Sequence, residues 1–115
     1  MGRNDRNTNN EKEVRKMTKF LTLWELDMNR VPADPKERIT NWTMLLNMVK
    51  DDFESGGLTD WGEFAGGCRG YSIAEGTEQE IFMALSKYVP YVKFEVYPIL
   101  SMSQIEETMK ALPQA

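Results

Sequence analysis

Apolar residues along this chain fall into two alternating patterns, and the alternation occurs twice. Dense extended runs at Phe20–Leu26, Leu58–Ala65, Cys68–Ala74 and Val92–Leu100 have the length and β-branched or aromatic content of strands. Between the first two lies a stretch near Pro35–Phe53 in which Ile39, Trp42, Leu46, Val49 and Phe53 recur every three or four positions. Between the last two, Ile81, Phe82, Leu85 and Tyr88 do the same within Glu78–Tyr88. Such spacing puts one apolar stripe on a helix. The predicted order is βαββαβ: an α+β domain with a four-stranded antiparallel sheet and a short C-terminal helix.

Local signals punctuate these elements. Asp34 is suited to cap the first helix, with Pro35 at its first position, and Gly56-Gly57 should end it. Gly66-Gly67 is expected to form a tight two-residue turn between the middle strands. Gly62 and Gly70 lie inside those strands, where missing side chains point to close backbone approach or a bulge. Thr77-x-x-Glu80 reads as a capping box for the second helix, and Pro90 forbids its continuation. Pro98 lacks an N–H, so its part of the last strand belongs at an edge or bulge. A third helix starts near Ser101-x-x-Gln104 and carries Ile105, Met109 and Leu112. Residues 1–16, rich in Asn and charge, have too little to bury and read as a disordered tail, leaving 17–115 as one domain. The arrangement is ferredoxin-like.

Composition narrows the chemistry. The chain contains no histidine, which excludes Ser-His-Asp and Cys-His triads, His-ligated haem and most zinc sites. Its formal charge of −4 with scattered basic residues argues against nucleic acid. The single Cys68 cannot form an internal disulfide and suits a reducing compartment. No apolar run approaches the roughly 18 residues of a membrane span, and the N-terminus lacks a signal-peptide core, so a cytoplasmic address is expected. No phosphate-binding Gly motif is present, and no cofactor is expected.

The first and last strands are apolar on both faces. Phe20, Trp24 and Leu26 oppose Leu21 and Leu23 in one; Phe94, Val96 and Leu100 oppose Tyr97 and Ile99 in the other. Two helices cover one face of such a sheet, so the second needs a partner, and a symmetric homodimer supplies it. Lys19-Phe20-Leu21-Thr22-Leu23-Trp24, Asp60-Trp61-Gly62-Glu63-Phe64, Gly66-Gly67-Cys68-Arg69-Gly70-Tyr71 and Phe94-Glu95-Val96-Tyr97-Pro98-Ile99-Leu100 carry a resemblance to the dimeric α/β-barrel superfamily. Within it, the chain is most similar to the uncharacterised DUF3303-type proteins, over Thr18 to about Leu112. The resemblance implies a homodimer with two sheets packed around a shared barrel. The superfamily includes cofactor-free monooxygenases, muconolactone-isomerase-like enzymes and ligand-sensing modules.

The expected function is binding of a small apolar or aromatic molecule in a cavity between the sheets, with Glu25, Tyr71, Glu95, Tyr97, Trp24 and Trp61 as candidate ligand-binding residues. Trp24, Trp61 and Tyr71 offer stacking surfaces, although aromatic residues in strands most often serve as core. Glu25 shares a strand face with Leu21 and Leu23, and Glu95 with Tyr97 and Ile99. If those faces point inward, two carboxylates and a phenol converge beneath apolar walls. A desolvated carboxylate can act as general acid or base, giving the alternative of a cofactor-independent isomerase or monooxygenase. Against that stands the simpler reading of solvated or ion-paired sheet-end carboxylates. Cys68 without a His partner or second Cys is a poor nucleophile, and Asp51, Asp52 and Glu54 point different ways around a helix.

Overall fold

A computed structural model describes residues 18–113. The elements are β1 (Lys19–Leu26), a 3-10 turn (Met28–Arg30), α1 (Pro35–Glu54), β2 (Asp60–Glu63), β3 (Arg69–Glu75), α2 (Glu78–Ser86), β4 (Val92–Ile99) and α3 (Met102–Ala111). They form an α+β fold with one antiparallel sheet ordered β2-β3-β1-β4, consistent with a ferredoxin-like arrangement. The expected tail, residues 1–16, lies outside the described residues.

Local chemistry sets the helix ends. Asp34 accepts the Glu37 N–H at 3.1 Å, and Pro35 opens α1 where a missing N–H costs nothing. At the other end Gly56 adopts φ +82°, and the Gly57 and Gly56 N–H groups bond the Asp52 and Phe53 carbonyls. This is a Schellman stop. Capping boxes at Thr77/Glu80 and Ser101/Gln104 start α2 and α3. Pro98 sits on β4, an edge strand, as its missing donor requires.

The β2–β3 connection is looser than the two-residue turn expected at Gly66-Gly67. It runs from Phe64 to Cys68, closed by Gly67 N–H to Phe64 O at 2.8 Å, with positive φ at Gly67 and Cys68 rather than at both glycines. Inside the strands the expected close approach is present. An added Cβ at Gly70 would run into the Gly62 carbonyl and the Trp24 indole, and one at Gly62 would meet the Tyr71 ring at 2.6 Å.

The core lies between the helices and one sheet face, where Phe20, Thr22 and Trp24 of β1 and Gly70, Ser72 and Ala74 of β3 are buried. Trp24 clusters with Leu45, Val49, Tyr88 and Val92; Phe20 clusters with Ala74 and Ile81. The predicted stripe on α1 is met in part. Val49 and its neighbour Leu45 are buried, Trp42 and Leu46 face the space beneath the helix without being sealed, and Ile39 and Phe53 are exposed (Ile39 by 59%). With 20 residues α1 is about 30 Å long, and its first ten residues contribute no buried side chain. On α2, Ile81 is buried as expected, as is Tyr88 just beyond its end, while Phe82 faces solvent.

Candidate functional site

The inner floor of the sheet is built from small side chains. Thr22 on β1 pairs in register with Ser72 on β3, and Ala74 lies one inward position further along. Above this floor α1 contributes only Leu45 and Val49 as buried residues, and α2 only Ile81. Short side chains below and sparse ones above leave space, because a packed interior would otherwise fill it. The result is a cavity of about 280 Å³ between helices and sheet. Its walls include Trp24, Trp61, Leu45, Val49, Leu85 and Phe94.

Trp24 and Trp61 stand together at one side of this space. Their rings are nearly parallel, 6° apart with centroids at 5.4 Å, and the Trp24 indole N–H donates to the Tyr71 carbonyl at 3.3 Å. Gly70 makes room for this arrangement by leaving the indole nothing to collide with. Two expected ligand-binding residues therefore border the cavity.

The other four lie away from this cavity, on the face where a between-sheet cavity was expected. Tyr71, Glu25, Glu95 and Tyr97 occupy the opposite sheet face, with Leu21, Leu23, Ile73 and Ile99. Leu23 has Tyr71 opposite it on one side and Glu95 on the other, and Glu25 sits between Arg69 and Lys93. The Tyr97 hydroxyl donates to Glu95 at 2.7 Å and the Tyr71 hydroxyl to Asp60 at 3.0 Å. Each acceptor carboxylate, through that hydrogen bond first, raises its phenol above the usual tyrosine range. Glu25 and Glu95 are both exposed in the single chain.

Polar groups at the cavity come instead from residues whose role the linear pattern hides. Asp52, near the end of α1, accepts from the Tyr88 hydroxyl at 2.6 Å and pairs with Lys87, tying the two helix ends together. Burial, and next the bond to Asp52, raises the Tyr88 phenol far above its ordinary value. Tyr88 thus stays protonated at neutral pH and serves as a donor, not a base. At the hairpin end Glu63 accepts the Cys68 N–H at 3.3 Å. The usable sequence signal was Gly70, Ser72 and Ala74 at alternate positions, a strand face of small residues opposite apolar helices. Among the described residues no group of three or more His, Cys, Asp or Glu is placed to hold a metal ion, and no helix is long and apolar enough to cross a membrane. No protein-family model matches this chain, and no curated protein matches it significantly.

Proposed function

We propose that this protein binds a small apolar or aromatic molecule in the cavity between its helices and the inner sheet face. The observation that carries the reading is the cavity itself: about 280 Å³, walled mainly by aliphatic and aromatic side chains with a few polar groups. Ligand sites have this make-up. A cavity of roughly 150 Å³ holds benzene, so this space suits about two fused rings. Naphthalene is the matching probe. Thermal unfolding in its presence tests the reading, since a ligand at about 100 times its dissociation constant adds about 2.7 kcal/mol to stability. A rise in Tm with naphthalene concentration is expected; an unchanged Tm up to its solubility limit refutes the proposal.

We also propose, independently of that cavity, that the protein is a homodimer of the dimeric α/β-barrel type. Support comes from the outer sheet face, where Leu21, Leu23, Ile73 and Ile99 form a contiguous apolar centre across three strands. Burying it against a second copy would remove it from water at about 25 cal/mol per Å². The resemblance to DUF3303-type proteins points the same way. In this arrangement the dimer face and the ligand cavity lie on opposite sides of the sheet.

A further inference from the structure

The cavity floor holds an unspent pair of hydrogen-bonding groups. Thr22 and Ser72 are direct cross-strand neighbours, 2% and 6% exposed, and both line the cavity. Neither hydroxyl makes a hydrogen bond among the described residues, yet no fully sealed side-chain oxygen or nitrogen there lacks a partner. The two hydroxyls therefore open onto the cavity. A buried hydroxyl without a partner costs free energy that an alanine or valine would avoid. Two of them side by side, on a floor otherwise made of apolar groups, form a place where a ligand oxygen can accept or donate.

The charges around the space decide what kind of oxygen it is. The carboxylates lining the cavity are Asp52 and Glu63, and among the described residues no lysine or arginine lines it. Lys87 is committed to Asp52 at the helix ends. A carboxylate or phosphate ligand would enter with no cation to meet it and two acids nearby, losing hydration without compensation. A carbonyl or hydroxyl loses far less. Resting on the binding reading above, we infer that the natural ligand is an uncharged, flat apolar molecule carrying a hydroxyl or carbonyl oxygen, which Thr22 and Ser72 hold against the sheet floor.

Titration calorimetry with naphthalene, 1-naphthol and 1-naphthoate tests this on the full chain. For wild type, 1-naphthol should bind about tenfold tighter than naphthalene, the worth of a net hydrogen bond or two, and 1-naphthoate weakest of the three. In Thr22→Val/Ser72→Ala the naphthol advantage should vanish while naphthalene affinity is kept. Ser72→Ala alone, the milder change, should lose part of the advantage. Because the hydroxyls have no protein partners among the described residues, both variants should melt no lower than wild type, which a purely structural role would not allow. Equal affinity for naphthol and naphthalene, an advantage that survives the double variant, or naphthoate as the tightest ligand each overturn the inference while leaving the cavity a binding site. Failure of all three probes to bind overturns the binding reading and this inference with it.

Discussion

Gly70→Ala isolates the contact on which the aromatic wall of the cavity depends. An alanine Cβ here would overlap the Gly62 carbonyl and the Trp24 indole. The first obstacle is backbone of β2, which is held to β3 over four register pairs and cannot swing aside like a side-chain tip. The second is a residue 8% exposed, stacked on Trp61 and bonded through its indole N–H to Tyr71. Overpacking of this kind costs up to about 3 kcal/mol, and loss of the indole hydrogen bond adds about 1. Replacing glycine returns about 0.4–1 kcal/mol by restricting the unfolded chain. The net is about 3 kcal/mol, or a fall in Tm of about 12 °C or more for a domain near 100 residues. Circular dichroism measures both consequences: the melting curve gives the loss, and the near-ultraviolet signal reports whether the two indoles remain stacked. A Tm within about 2 °C of wild type with an unchanged aromatic signal would refute the reasoning.

Leu45→Ala should cost about 2–3 kcal/mol, toward the low end for a buried leucine because it already borders empty space, while Ile39→Ala in the exposed N-terminal half of α1 should cost under about 1 kcal/mol; denaturant midpoints compare them, and the reverse order would mean α1 is rotated. Tyr88→Phe should destabilise by about 1.5–3 kcal/mol at pH 7 by removing a hydrogen bond to a charged acceptor. The phenol is raised in the folded state, so its contribution is complete below the unfolded value near 10 and is lost as pH rises through the folded value. Wild-type stability should therefore fall above about pH 10 more steeply than that of Tyr88→Phe, and parallel curves would contradict the assignment. Leu23→Glu should convert a dimer to monomer without unfolding it, because an unpaired charge in a buried interface is costly; sedimentation of a wild type already monomeric at tens of micromolar would remove the dimer.

The strand and helix order was legible because each element is marked by its own local chemistry. Asp34-Pro35, Gly56-Gly57 and Thr77-x-x-Glu80 act within a few residues of themselves, and the structure uses all three as expected. The phase of α1 was legible only in part. Its surface carries apolar residues on more than one side: Trp42, Leu45, Leu46 and Val49 border the space over the sheet, but only Leu45 and Val49 are buried, while Ile39 and Phe53 are exposed. The candidate site split for a similar reason. Alternation groups Glu25 with Leu23 and Glu95 with Tyr97, but which face receives the helices is a tertiary choice. Once the helices settle on the Phe20–Trp24 face, Trp24 and Trp61 stay with the cavity and the other four candidates go to the opposite side. Asp52 shows in the sequence only as one of three acids pointing different ways around a helix, because its partners, Lys87 and Tyr88, are 35 and 36 residues away.

Methyl-resolved NMR during a naphthalene titration tests the central claim most directly, because the two sheet faces carry separate sets of methyl groups. Leu45, Val49, Ile81 and Leu85 report on the cavity; Leu21, Leu23, Ile73 and Ile99 report on the outer face. Saturable shifts in the first set, with the second set unchanged, are the predicted result. Shifts confined to the outer face, or absent from both sets, would contradict a ligand site between the helices and the sheet.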